Sequence, residues 1–283
     1  MPVCWRQRAA LGMRLAALTL LVACPIGEVP DALEAGPDDG LRLDQSLVYT
    51  LDWDREGVTL HETGWSAIND LGFAFEFQQA FATTYSLELV PCDPVSRPDG
   101  GLGDLVERVL GWIGSRKAFA GHGGAPFNPT RLGQSLVESI HGAVPFVSAP
   151  MTADGNTYCQ FHYLVARAHG GTQQLPETLD YLGRSAILQG RWRQADGPWQ
   201  DFDWRSEVPW GEMKSLEPAV ADGPLSADAP TQVLVTRPLH GLLRALDPVQ
   251  MRPEVLANTV IKNMVQGTRI EIRTAHGRWR SQP

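Results

Sequence analysis

The chain has 283 residues, a formal net charge of −8 at pH 7 and 43% hydrophobic residues. This length suits one large domain or two small ones. The acidic balance, without a cluster of lysines and arginines, argues against nucleic acid as a partner, because affinity for phosphates needs clustered positive charge.

The first 23 residues have the pattern of an export signal. Arg6, Arg8 and Arg14 precede an apolar run at residues 15–23, and no acidic residue occurs among them. A basic start followed by an apolar run of about 7–15 residues is typical of a secretory signal and is too short to span a membrane. Loss of this segment with its three arginines changes the net charge from −8 to −11.

The last three residues of this segment and the cysteine that follows it read Leu21-Val22-Ala23-Cys24. This ending resembles the cleavage motif of bacterial lipoproteins, in which signal peptidase cuts before a cysteine that is then acylated. The resemblance implies a signal peptide at residues 1–23, lipidation of Cys24 and attachment to the membrane through the lipid. In that class an aspartate after the cysteine favours the inner membrane. Pro25 stands there instead, so we expect an outer-membrane lipoprotein facing the periplasm or the cell surface. The alternative is an ordinary secretory signal with a chance cysteine.

Two cysteines remain once Cys4 leaves with the signal and Cys24 takes the lipid. In an oxidising envelope compartment, Cys92 and Cys159 most simply form one disulfide. The alternative is a pair of thiolate metal ligands, although neither cysteine has a second thiol at a CxxC spacing.

Residues 24–45 are rich in proline, glycine and acids, which predicts a flexible tether. Residues 46–283 predict a single β-rich domain, an antiparallel sandwich or barrel-like structure with two or three short helices. Two domains divided near Gly170-Gly171 are the alternative. Strands are predicted at residues 46–52, 58–61, 71–77, 83–90, 157–168, 186–194, 200–205, 232–237 and 268–273. Helical spacing of apolar residues occurs at residues 102–113, 132–140 and 253–266.

The central strand at residues 157–168 carries a cysteine and a histidine. Period-2 alternation places Tyr158 and His162 on one face, with Cys159 and Tyr163 on the other. Further along, four tryptophans fall close together and indicate core or sheet-face packing, with a carbohydrate-stacking surface as the alternative. They are Trp192, Trp199, Trp204 and Trp210.

Three of the seven histidines are candidate metal ligands. His122 lies between glycines in the sequence AGHGG, His162 lies on the central strand, and His141 follows the helix-like run at residues 132–140. Neutral imidazoles that meet through the fold can bind copper or zinc. The alternatives are a strand histidine bonded to the backbone, a helix-end histidine and an exposed loop histidine. His61 and His169 are expected on the surface.

The sequence AGH at residues 120–122, the sequence YCQFHYL at residues 158–164 and the late helix together resemble uncharacterised bacterial envelope lipoproteins. They are distantly similar to methanobactin-associated periplasmic copper-binding proteins, which hold copper through histidines and a modified tryptophan. The similarity implies copper ahead of zinc. No tryptophan stands at a short spacing from His122 or His162, so no tryptophan ligand is carried over.

Patterns typical of enzymes are weak in this chain. Ser66, Ser135 and Ser185 each follow a glycine by two positions, but none has the second glycine of a nucleophile elbow. No P-loop, dinucleotide-binding or calcium-loop pattern occurs. The leading hypothesis is therefore a copper-binding lipoprotein rather than an enzyme. The alternatives are a metal-free structural or interaction lipoprotein and, less favoured, an envelope hydrolase with an unrecognised site.

Overall fold

The computed structural model describes residues 40–92, 128–140, 144–152, 155–219, 225–226 and 228–282. These residues form fourteen β-strands, one α-helix (α1, Pro253–Gly267) and one short 3-10 helix (His240–Leu243). The strands are β1 Leu41–Arg42, β2 Leu47–Asp54, β3 Thr59–His61, β4 Gly64–Ile68, β5 Phe73–Pro91, β6 Leu136–Ser139, β7 Phe146–Val147, β8 Thr157–Val165, β9 Ala186–Gln194, β10 Gln200–Ser206, β11 Trp210–Ala219, β12 Thr231–Pro238, β13 Arg269–Arg273 and β14 Arg278–Ser281.

The strands form one mixed sheet in the order β10-β9-β5-β8-β11-β14-β13-β12-β2-β7. All of these pairs are antiparallel except β12 with β2, which is parallel. Strand β11 joins the two halves, because Trp210–Ser215 pair with β8 and Leu216–Ala219 pair with β14. The prediction of a mainly β, sandwich or barrel-like domain is confirmed. Strands before and after Gly170-Gly171 both pair with β5.

Strand β5 spans two of the predicted strands as one continuous element. Its first half pairs with β9 and its second half with β8. The register shifts between Phe77 and Gln79 and again between Thr84 and Ser86, so bulges bend the strand. This bending lets one long strand support both neighbours.

Beside the first bulge, Gly190 of β9 lies directly opposite Phe77. A Cβ added at Gly190 would overlap the carbonyl oxygen of Glu76, so the close approach of the two backbones requires glycine. We expect Gly190→Ala to lower the free energy of unfolding by about 2–3 kcal/mol through overpacking. Gly170→Ala is the control, since a Cβ there meets nothing within 4 Å. Equal stability of the two variants in urea unfolding would contradict the prediction.

The interior contains a buried ion pair. Arg237 of β12 is fully buried, and its two terminal nitrogens donate to Glu138 of β6 at 2.6 and 2.7 Å. Thr84 donates to Glu138 at 2.5 Å, and the guanidinium lies 4.2 Å from the Trp53 ring centre. Burial alone would lower the pKa of Arg237, but the charges of Glu138 and Tyr163 and the hydrogen bonds to both residues together outweigh it and raise that pKa. The ion pair links β6 and β12, two strands that lie far apart in sequence.

Helix α1 confirms the predicted late helix. Pro253 occupies its first turn, and Leu256, Val260, Ile261 and Met264 are buried at helical spacing. The helix packs on β10 and on the 3-10 helix.

Helical structure at residues 132–140 is a wrong prediction. Residues 136–139 instead form β6, which pairs with β5 from Phe81 to Thr84. The apolar spacing of this short segment fits either structure, and pairing with an open strand edge decides the outcome. The run at residues 102–113 lies outside the described residues. Leu41 and Leu43, within the segment predicted as a tether, are buried in the core.

Two of the four tryptophans confirm the expected packing. Trp192 and Trp204 are buried and contact phenylalanines edge to face. Trp199 is half-buried, with the guanidiniums of Arg191 and Arg193 4.8 and 4.7 Å from its ring centre. Two cationic side chains therefore lie against this ring.

Candidate functional site

The structure describes one of the three predicted metal ligands. His162 lies on β8, while His122 and His141 fall outside the described residues, as does the predicted lipidation site Cys24. Among the described residues, no group of three or more histidine, cysteine, aspartate or glutamate side chains is arranged to hold a metal ion. His61 and His169 are exposed, as expected.

The predicted disulfide is confirmed. Cys92 and Cys159 are bonded, with their Cα atoms 4.8 Å apart. Cys159 is an extra residue in β8, because Gln160 pairs with Val90 and Tyr158 pairs with Pro91. This bulge turns Tyr158 into the core, so the prediction that Tyr158 shares a face with His162 is wrong. Simple alternation cannot reveal a bulge.

A carboxylate positions the His162 ring. Glu88 of β5 lies directly opposite His162, and its Oε1 is 3.0 Å from Nδ1 of the ring. Glu88 is 8% exposed, which is rare for a carboxylate on an outer sheet face. With Nδ1 bonded to Glu88, Nε2 is the ring nitrogen left for another partner. Carboxylates that orient metal-binding histidines use this arrangement.

Two further residues hold Glu88 in place. Arg131 donates to both carboxylate oxygens at 3.1 Å, and Asn128 donates to Oε2 at 3.1 Å. Burial would raise the pKa of Glu88, but hydrogen bonds from His162 and Arg131 and the charge of Arg131 together lower it below 4.5. Glu88 is therefore a carboxylate at neutral pH. The sequence does not reveal Glu88, because its partners come from two segments distant from it in sequence, residues 128–131 and β8.

Acidification is expected to weaken the fold partly through Glu88. The pKa of Glu88 is lower in the folded protein than its usual 4.5, so the unfolded chain takes up the proton first as the pH falls. The stability that Glu88 contributes is present above about pH 4.5 and is lost as the pH falls through the folded pKa. We expect Glu88→Gln to show a shallower loss than wild type in urea unfolding from about pH 7 to about pH 3.

The exposed Glu254 provides the control for this measurement. Glu254→Gln is expected to keep the wild-type pH dependence, because Glu254 lies at the exposed start of α1 and is not among the residues that contact Glu88, which are Asn128, Arg131 and His162. The prediction is wrong if Glu88→Gln and Glu254→Gln lose stability along the same curve.

The described residues on either side of residues 93–127, the stretch that carries His122, contact β8 or its partner Glu88. Cys92, directly before residues 93–127, is bonded to Cys159, which precedes His162 by three positions. Asn128, directly after the stretch, contacts Glu88, the partner of His162. Thr130 and Leu132 then bond to the backbone of β5 at Leu89 and Leu87. Both attachment points therefore lie near His162.

A serine and a histidine also meet away from this site. Ser135 Oγ is 3.3 Å from Nε2 of His169, and the Gly171 N–H donates to Nδ1 at 3.0 Å. Because Nδ1 accepts a proton donor, the neutral ring carries its own proton on Nε2 and donates it to Ser135. A general base would have to accept from the serine instead. In this tautomer, His169 is therefore not placed as a base for Ser135.

A groove of about 970 Å³ runs beside the segment that holds Glu88. Two chain segments, around Leu132 and around Met151, form its walls, with Phe146 and Gln134 also lining it.

In comparisons with known proteins, no family model, no curated protein and no solved structure matches this chain. Among the described residues, no helix has both the length and the apolar character needed to cross a bilayer.

Proposed function

We propose that this protein is a lipid-anchored envelope protein that binds copper through histidines, with His162 as the central ligand and zinc as the second choice of metal. The observation that carries the proposal is the Glu88–His162 contact of 3.0 Å, which orients the ring and leaves Nε2 for a metal. Imidazole nitrogen suits both copper and zinc.

His122 is the proposed second ligand. It precedes Asn128 by six residues, so the chain length allows it to lie no more than about 20 Å from the Asn128 contact with Glu88. His141 follows Ile140, whose N–H donates to the carbonyl of Ala80 in β5. Ala80 lies eight residues along β5 from Glu88, about 26 Å away, so His141 is placed third.

Copper analysis of the full chain, recovered from the membrane fraction, tests the proposal. We expect one copper per chain after loading and washing, and loss of that copper in His162→Ala and His122→Ala. His61→Ala is the control, because His61 is exposed and bonds to Ser66 on the β3–β4 hairpin. The proposal fails if wild type retains no copper, or if His162→Ala retains as much as wild type.

The anchor is tested separately by mass spectrometry of the N-terminus. An outer-membrane lipoprotein is expected to begin at an acylated Cys24, with the domain facing the periplasm or the cell surface. An unprocessed chain that begins at Met1 would contradict this part of the proposal.

The groove favours a second candidate, a metal-free interaction lipoprotein that binds a protein partner. Its apolar walls at Leu132, Phe146 and Met151 suit burial against another surface. A photo-crosslinking residue at the exposed Gln134 is expected to capture a partner in the envelope, whereas one at the exposed Val208, outside the groove lining, is not. Equal capture at both positions would argue against the groove as the binding surface.

A further inference from the structure

A methionine lies beside His162 on the opposite side from Glu88. In the sheet register, His162 of β8 pairs with Glu88 of β5 and with Met213 of β11. Residues directly opposite in antiparallel strands project from the same face, with Cβ atoms about 4.5–5.5 Å apart. Glu88, His162 and Met213 therefore form one row across three strands, which we call the His162 row.

Nε2 of His162, the ring nitrogen that Glu88 does not contact, faces β11, the strand that carries Met213. Nδ1 is bonded to Glu88 on the β5 side. Nε2 lies over β11, where a Cβ added at Gly211 would come 3.5 Å from it. Gly211 and Met213 are two residues apart and share a face. Gly211 carries no side chain to fill the space beside Nε2, which Cδ1 of Leu164 borders 3.1 Å from the position of that Cβ.

The thioether of Met213 is able to reach that space. The Met213 side chain is 47% exposed, although apolar residues on β-rich domains are more often covered. Three rotatable bonds let a methionine sulfur move over several ångströms without any change of backbone. No hydrogen bond or core contact of the described residues holds the sulfur elsewhere.

We propose that Met213 supplies a thioether ligand beside Nε2 of His162, and that the copper held there is Cu(I). This inference rests on the proposed function and adds a ligand and an oxidation state to it. Thioether sulfur is a soft, neutral ligand that favours Cu(I), whereas Cu(II) favours nitrogen and oxygen, and zinc takes sulfur chiefly as the charged thiolate of cysteine. A site with one imidazole and one thioether therefore discriminates among these ions.

Competition with the Cu(I) chelator bicinchoninate, without oxygen, tests the inference on the full chain. Met213→Leu keeps the size and apolar character of the side chain and removes only the sulfur. Since loss of an outer-shell partner already costs 10–100-fold in metal affinity, we expect Met213→Leu to weaken Cu(I) binding by about tenfold or more. Zinc binding, measured in the same buffer, is expected to change less than about twofold.

Met251→Leu is the matched control, because Met251 packs against the core near Asp247, away from the His162 row. It should leave Cu(I) affinity unchanged. If wild type binds copper and Met213→Leu binds Cu(I) equally well, the thioether ligand is wrong while the proposed function stands. Equal weakening of Cu(I) and zinc also overturns the inference. If wild type binds no copper, the proposed function fails as well.

Discussion

Replacing Glu138 by alanine is expected to lower the free energy of unfolding by about 3–5 kcal/mol. The substitution leaves the guanidinium of Arg237 charged and without its carboxylate in a place where it is 0% exposed. It also removes the acceptor of the Thr84 hydroxyl. A buried charge without its partner keeps the full cost of leaving water, and this cost dominates the result. Urea unfolding with linear extrapolation measures the change.

An exposed ion pair provides the comparison. Asp203 and Arg205 form a pair on β10 with side chains 44% and 37% exposed. Asp203→Ala is expected to change stability by less than about 1 kcal/mol, because solvent screens such pairs. A loss below about 1 kcal/mol for Glu138→Ala would show that the interior around Arg237 admits water or relaxes, contrary to the packing described.

Removing the disulfide is the second large effect. We expect Cys92→Ala combined with Cys159→Ala to lower the free energy of unfolding by about 4 kcal/mol, because the bond closes a loop with a sequence separation of 67. Without the bond, the unfolded chain regains conformational freedom that the bond had removed, and this entropy gain is the main cause of the lower stability. The bond also ties Cys92, the residue before the stretch that carries His122, to β8, so the same variant is expected to retain less copper.

Reductant provides the control for this prediction. Wild type treated with dithiothreitol is expected to match the double variant in urea unfolding, and the double variant is expected to be unaffected by the reagent. An unchanged unfolding midpoint of wild type in reductant, with both thiols shown free by alkylation, would contradict a stabilising role of the bond.

Period-2 alternation and turn residues predicted most of the strands, because a half-buried strand shows its pattern within a few residues. The late helix could also be predicted from its own sequence, because Pro253 stands at its start and its apolar residues, buried in the structure, recur at helical spacing. The disulfide followed from the number of cysteines that the predicted processing would leave. Each of these conclusions depends on nearest neighbours in sequence or on elimination.

The errors arose where a segment's partner decides its structure. Residues 132–140 carry apolar side chains at a spacing that fits a helix, yet β6 forms because β5 offers an open edge. Tyr158 is buried because the bulge at Cys159 reverses the alternation.

The candidate site shows the same division. His162 could be selected from the sequence because it stands on a regular strand near a cysteine. Glu88 and Met213 could not, since they lie 74 positions before and 51 positions after it, and only strand pairing brings them together.

The amino-acid sequence by itself determined the β character, the late helix and the identity of the cysteine pair, because local periodicity and a small count of thiols are readable along one dimension. Only the tertiary structure decided that Glu88 orients His162, that Met213 lies on its other side, and that Glu138 pairs with the charge of Arg237 in the interior. Those contacts depend on the register between distant strands, which bulges shift and which no local pattern records.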